Sequence, residues 1–588
     1  MNHVKYGILL CAVFLLVFLT ASAESYRRWQ IDVISGEHIS RVSDYKTDKA
    51  IAKASAEMWD TYAEEIADRK RELSLGKITN RGVRMELYMH QVGHPGKNGY
   101  PLYLSLHGGG TIDAKVQREQ YEIMKDYCRY QQEPGLYVAT KSLIPHYDEH
   151  YRPESFLFYD RIIEDAIAFY HADPNRIYLY GFSSGGDGVY SISPCMPDRF
   201  AAVVMCAGTP QSMRIRNMRN LPICLQVGEK DNDFDRNRIL ARYDALLQTL
   251  SDKYGGYLHD TYIHVDSNHN QWDNMVGDKH RVITGENVQK WLNGEKYRTT
   301  LAVTEEGKWL PQFTRDPFPE KVVWETAISA GLRPSQSFYW LDRDGFLSDE
   351  NIVASYSREN NTITISECTI KQGTLKILLN PQMMDVFADV TIDLCGAKIQ
   401  VNPFVSRQIM ETTLREKGDP NLIYTTEIDL RFDKKHRRIE VESVRERHAD
   451  YSVTDPERQI YWRNSGLMIV DPSLLGMTFQ ELSSRLNVKV HRPKPWPYGE
   501  EGWDYSELTL HGKNLTFMFR DGKSRRISCQ EEGEIPATLW NDAETYFGRA
   551  DRAVLLNRMA ERILSDSFYN DQHHIMQMYM DYTMYDAQ

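Results

Sequence analysis

Cysteine is the first shortage: eight in 588 residues, with no C-x-x-C pair among them. That excludes a small scaffold held by disulfides and leaves no legible zinc site, so no metal is expected. Cys206 and Cys224 fall inside apolar runs and read as buried thiols. Positive charge is the second shortage. Seventy Lys and Arg against 82 Asp and Glu give a net charge of −12, which argues against nucleic acid as a partner, because phosphate binding needs clustered cations. The short basic runs Lys434–Arg438 and Lys523–Arg526 read as solvated strand ends. His573 and His574 are adjacent, point apart on a helix and do not suggest a metal site. Long apolar runs are missing too. The exception, Gly7 to Leu19, is short for a membrane span. No internal repeat or low-complexity linker is visible.

What is present begins with a targeting segment. Lys5, the apolar run and Ala21-Ser22-Ala23 form a leader with an A-x-A cleavage site. The expectation is an exported chain, periplasmic or extracellular, with a signal peptide over residues 1–23 and no membrane span after its removal. An uncleaved anchor is the alternative. The length exceeds one core and implies several domains. Residues 24–79 read as a helical preface covering the edge of the next domain. Residues 80–298 alternate strands and helices, the pattern of an α/β domain with a mostly parallel sheet. Residues 320–430 favour period-two strands, with Val390–Leu394 and Lys398–Val401 joined as a hairpin through Cys395-Gly396. Residues 435–588 read as a mixed α+β domain, with a capping box at Thr478–Glu481 and a longer helix from Asn541 to Leu564. Phe338–Leu341 reads as core more readily than as an aromatic platform for sugar rings.

The chain is organised around Asp173–Tyr190, DPNRIYLYGFSSGGDGVY. Ile177–Tyr180 reads as a buried strand, running into Gly181-Phe182-Ser183-Ser184-Gly185, a G-x-S-x-G pattern. A nucleophile on a tight strand-to-helix turn needs small neighbours, because strand and helix approach closely there. Taken alone, the pattern could equally be an ordinary glycine-rich turn. A second motif changes that balance. The strand Leu102–Leu106 ends in His107-Gly108-Gly109-Gly110, the kind of turn that supplies an oxyanion donor. Downstream, Leu221–Val227 is a strand followed by Gly228-Glu229-Lys230-Asp231, and Tyr262–Asp266 reads as the last strand of the sheet.

On these residues the chain resembles the α/β-hydrolase superfamily over about residues 80 to 295. DPNRIYLYGFSSGG looks most like the branch of polyhydroxybutyrate depolymerases, feruloyl and acetyl esterases of plant polysaccharide, and peptidase-like relatives. The resemblance implies Ser183 as nucleophile, Asp231 as the acid and His269 as the base, in the chain order expected for that fold. It implies an oxyanion hole from the Ser184 N–H and that of Gly109 or Gly110. No cofactor is implied. Asp233 and Asp235 remain alternatives for the acid. His264 reads as a core histidine or a rival base, and His259 stands at the wrong end of its strand. Relatives carry Gly just before the histidine, where this chain has Asn268, a residue that tolerates unusual φ. The interval from Ser183 to Asp231 leaves no room for a large lid, so an open site for a bulky or polymeric ester, such as one on polysaccharide, is expected. Arg214, Arg216 and Arg219 hold an anionic substrate group or pair with nearby acids. A serine peptidase is the enzymatic alternative. A binding protein using its C-terminal domains is the alternative from another class. Ending the chain near Gly294 is expected to spare the site.

Overall fold

Runs such as Leu102–Leu106, in which Ser105 is the one small polar residue, and Val203–Cys206 have almost no polar face to show water, so they are buried on both sides of a sheet. The computed structural model of the chain describes residues 26, 28–34, 43–80, 83–110, 113–143, 150–151, 153–209, 215–270, 279–326, 336–344, 350–447, 460–462, 468–470, 478–486, 492–495, 503–510, 513–520 and 522–529. Residues 1–23, read as a leader, Arg214, the Asn541–Leu564 segment and His573–His574 lie outside the described residues. Two compact units emerge. One is Met1–Glu325 with Ser337–Arg343 and Glu350–Ala449; the other is Thr326–Gln336, Asp344–Asp349 and Asp450–Gln588.

The first unit opens with β1 (Gln30–Val33) and α1 (Asp48–Glu65). Its α/β part then runs β2 (Lys77–Asn80), β3 (Val83–Val92), β4 (Tyr100–Leu106), α2 (Ala114–Arg129), β5 (Gly135–Thr140), α3 (Pro153–Tyr170) and β6 (Ala172–Phe182). After α4 (Ser184–Ile192) come β7 (Ala202–Cys206), β8 (Ile223–Gly228), α5 (Arg236–Tyr254), β9 (His259–His264), β10 (His280–Ile283), α6 (Glu286–Leu292) and β11 (Thr300–Ala302). These strands form one sheet in the order β11-β10-β9-β8-β7-β6-β4-β5-β3-β2. Neighbours from β5 to β9 run parallel, while β2, β3, β10 and β11 add antiparallel margins. The α/β class is as expected, but the sheet does not end at Asp266, because β10 and β11 extend it beyond β9. Between β4 and β6 the chain changes its direction of travel across the sheet. Such a switch point opens a crevice at the carboxyl ends of the strands, where ligands bind in open α/β sheets.

The later strands alternate buried and half-exposed residues and build two further sheets. β12 (Lys321–Glu325), β15 (Asn351–Ser357), β16 (Thr362–Cys368), β18 (Val390–Leu394) and β19 (Ala397–Val401) form one. β13 (Gln336–Phe338), β14 (Leu341–Asp344), β17 (Gly373–Leu379), β20 (Thr426–Asp433) and β21 (Arg438–Val444) form the other, with β1 parallel to β21 at its edge. The hairpin of β18 and β19 is present, its turn made by Cys395 and Gly396, both at positive φ. Phe338, Tyr339, Trp340 and Leu341 are all buried in the core between these sheets, so they make no exposed platform. The preface packs here as well: Ile51, Ala54, Met58 and Tyr62 of α1 belong to this core.

In the second unit, Trp503–Leu510, Lys513–Arg520 and Lys523–Cys529 form an antiparallel meander. The helix Phe479–Leu486 carries the expected capping box, with the Thr478 N–H donating to the Glu481 carboxylate at 2.8 Å.

Candidate active site

Ser183 follows the last residue of β6 and precedes the first of α4, and its backbone sits at φ 57° and ψ −117°. That conformation costs a non-glycine residue of order 1–3 kcal/mol, a strain that persists only where the surroundings enforce it. Close packing does the enforcing. A Cβ on Gly185 would lie 2.2 Å from the Leu106 carbonyl of β4, so no larger residue fits where helix meets strand. The Ser183 N–H donates to the Cys206 carbonyl of β7 at 2.8 Å, which ties the turn to the next strand. The hydroxyl is thereby presented at the carboxyl edge, beside the switch point.

The acid and base arrive from the ends of β8 and β9, which lie beyond β7 in the sheet. Asp231 follows β8 and is 2% exposed. His269 follows β9 and is partly exposed. His269 Nε2 lies 2.9 Å from Ser183 Oγ, and its Nδ1 lies 2.7 Å from Asp231 Oδ2. One tautomer satisfies both contacts: Nδ1–H donates to the carboxylate and Nε2 accepts from the serine hydroxyl. All three residues singled out by sequence therefore meet in one chain of hydrogen bonds.

The rival residues go elsewhere. Asp233 is exposed, and Asp235 faces Arg242 at 3.7 Å. His264 is buried, bonded to His280 at 2.7 Å and Gln226 at 3.1 Å, and burial pushes its imidazole down to about 3. His259 begins β9 and faces Asp244 at 3.7 Å. The unusual φ foreseen at Asn268 occurs instead at Asp266, φ 61°, two positions earlier in the same turn. Arg216 and Arg219 are both engaged by protein groups. Arg216 pairs with Glu367 at 3.1 Å, and Arg219 donates to the Lys321 carbonyl at 2.9 Å.

The glycine turn after β4 lies against the elbow. Gly109 and Gly110 have φ of 140° and 67°, and a Cβ on Gly110 would come within 3.0 Å of Ser184 Cβ. Two buried histidines fix this turn. His107 Nδ1–H donates to the Gly108 carbonyl at 2.5 Å, while Nε2 accepts from the Ser142 N–H at 3.1 Å. His150 Nε2–H donates to the His107 carbonyl at 2.7 Å. Burial pushes the His107 imidazole down to about 4 and His150 well below its usual range. Burial thus favours the neutral form of both rings, the form that the acceptor role of His107 Nε2 requires.

Sequence reasoning missed His150 and Arg236. His150 stands far from either motif and carries no local signal. Arg236 had one: it is the first cation after Asp231, Asp233 and Asp235, and its Nη1 lies 3.5 Å from Asp231 Oδ1. Among the described residues no group of His, Cys, Asp and Glu could hold a metal ion, and no helix is long and apolar enough to cross a membrane.

No family model matches the chain, and no curated protein does. Solved structures do. A thermostable esterase is 17% identical with a TM-score of 0.27, over 41% of this chain and 62% of its own, so less than two thirds of that protein is spanned. A ferulic acid esterase is 12% identical with a TM-score of 0.24, over 34% of this chain and 90% of its own. The poly(3-hydroxybutyrate) depolymerase LpqC from Bordetella parapertussis is 14% identical with a TM-score of 0.29, over 42% of this chain and 96% of its own. On its own strand order and elbow, the chain resembles the α/β-hydrolase superfamily.

Proposed function

We propose that the protein is a serine hydrolase that cleaves carboxylic esters through an acyl-enzyme. The observation that carries this is the unbroken relay Ser183–His269–Asp231, at 2.9 and 2.7 Å, on a strained elbow. In this reading His269 takes the Ser183 proton as Oγ attacks the acyl carbon, then returns it to the departing alcohol oxygen. Asp231 holds the ring in the required tautomer and balances the imidazolium. The negative oxygen of the tetrahedral intermediate accepts from the Ser184 N–H and from that of Gly109 or Gly110, each worth about 10²–10³ in kcat. Water, deprotonated by His269, then releases the acid and restores Ser183. No cofactor takes part in any step.

The substrate we propose is an acyl ester carried on polysaccharide or a similar polymer. The short interval between elbow and acid supports this, because it leaves no room for a large lid. The leader at residues 1–23 supports export to where such polymers are met. The test is a fluorophosphonate probe on the full chain, with the labelled peptide identified, followed by a panel of p-nitrophenyl and feruloyl esters. Labelling at Ser183 with turnover of at least one ester is expected. An unlabelled Ser183 in a folded protein would end this reading.

A further inference from the structure

Asp231 has two carboxylate oxygens, and the relay uses one of them. Oδ1 is buried and accepts no hydrogen bond among the described residues. A buried carboxylate oxygen without a donor is costly unless a charge compensates it. The nearest cation is Arg236, whose Nη1 stands 3.5 Å away and whose side chain is itself mostly buried.

The chain goes to some expense to place it there. Between Asp231 and α5 the backbone makes a single turn in which Phe234 and Asp235 both have positive φ, 55° and 56°. Neither is glycine, and each left-handed residue costs roughly 1–2 kcal/mol. The double reversal brings Arg236, the first residue of α5, back against Asp231. Phe234 is 74% exposed, an unusual position for so large an apolar ring, and the Arg236 guanidinium lies 4.9 Å from its centroid. Nη1 of Arg236 also donates to the Asp233 carbonyl at 3.3 Å.

Resting on the serine-hydrolase reading, we propose that Arg236 is a positioning residue that fixes the orientation and effective charge of Asp231, and that Phe234 holds Arg236 in place. Other charges around the acid and base are occupied with one another. Lys230 and Arg281 pair with Asp266 at 3.2 and 3.0 Å, and Arg238 and Arg242 with Asp235 at 4.0 and 3.7 Å. Glu229 accepts from the Asp266 N–H at 2.9 Å, and Asp233 is exposed. Arg236 is thus the cation that sets what Asp231 presents to His269. Removing it leaves an uncompensated anion beside the ring. That favours the protonated imidazole, which cannot take the serine proton.

The test is the rate of fluorophosphonate labelling of the full chain against pH, with kcat and KM for a p-nitrophenyl ester beside it. For Arg236→Gln, a roughly tenfold slower plateau is expected, with an acid limb moved about one unit to higher pH and KM within about twofold. Arg236→Lys keeps the charge and should return the limb to its wild-type position with most of the rate. Phe234→Gly relieves a left-handed residue at an exposed site, so it should fold whatever Arg236→Gln does, and should move the limb the same way by less. A folded Arg236→Gln protein with the wild-type limb overturns the proposal, as does a Lys variant that behaves like Gln. Should Arg236→Gln show no cooperative melt, an unmoved limb in Phe234→Gly overturns it instead. Wild-type protein unlabelled at Ser183 brings down the serine-hydrolase reading first, and this proposal with it.

Discussion

Two clusters of buried charge in the first unit make a useful contrast. At the carboxyl edge of the parallel sheet, Ser183, His269 and Asp231 form a short relay that is partly open to water and strained at its serine. The second cluster joins the turn after α4 to the β-rich sheets. Arg199 is fully buried and faces Asp160 at 3.0 Å and Asp419 at 3.5 Å. Arg315 reaches the same Asp419 at 2.8 Å, and Lys417 lies 3.8 Å from both Asp198 and Asp342. Arg447 closes the group on Asp342, Glu427 and Glu416. The first cluster leaves His269 partly exposed. The second matches each charge with another, because a charge buried without a partner costs several kcal/mol.

The contrast can be broken at several points. The largest effect is expected from ending the chain at Gly294, which keeps every residue of the relay. It removes β11, takes Trp309 and Leu310 from the core beside Tyr178 and Tyr180, and strips Asp419 from Arg199. We expect no cooperative melt from that fragment, contrary to what the position of the motifs suggests. A folded, active fragment would show the second cluster to be dispensable.

Ser183→Ala should lower kcat by about 10⁶ and leave the melt unchanged, since it removes only a reacting atom. Asp231→Asn should cost one or two orders of magnitude less, because it disturbs a tautomer. A greater loss from Asp233→Asn or Asp235→Asn would move the acid.

Asp419→Ala is the mirror experiment. It leaves Arg315 and part of Arg199 uncompensated and should cost about 3–5 kcal/mol in denaturant unfolding. Turnover per folded molecule should be unchanged. An effect on kcat without one on stability would undo the separation between the two clusters.

The smallest effect concerns pH. Burial, with Glu427 beside it, pushes the Asp429 carboxyl up to about 7. A folded carboxyl that holds its proton above the unfolded range near pH 4 makes the native state bind more protons between pH 4 and 7. Its contribution to stability is therefore complete below about pH 4 and is lost as pH rises through 7. Asp429→Asn should flatten that part of the melting temperature against pH. An identical slope in the variant would assign the dependence to other groups.

Some of this was written locally. The elbow could be read because a strand, a G-x-S-x-G turn and a helix are adjacent in sequence, and each is fixed by short-range sterics. His107 to Gly110 could be read for the same reason. The acid and base followed from chain order after the resemblance to the superfamily was seen, since each sits just past a strand of recognisable composition. Arg236 and His150 could not be read in that way. The first depends on two successive left-handed residues, one of them a phenylalanine, and the second reaches the glycine turn after β4 across 43 positions.

The sequence by itself determined the α/β class and the strand, turn and helix around Ser183, because period and turn chemistry are local properties. Only the tertiary structure decided where the sheet ends, that the α1 preface shares a core with the β-rich sheets, and which charges are paired. Those outcomes depend on contacts such as Arg199 with Asp419, made across 220 positions. Burial sets their energies, and burial exists only after the chain has folded.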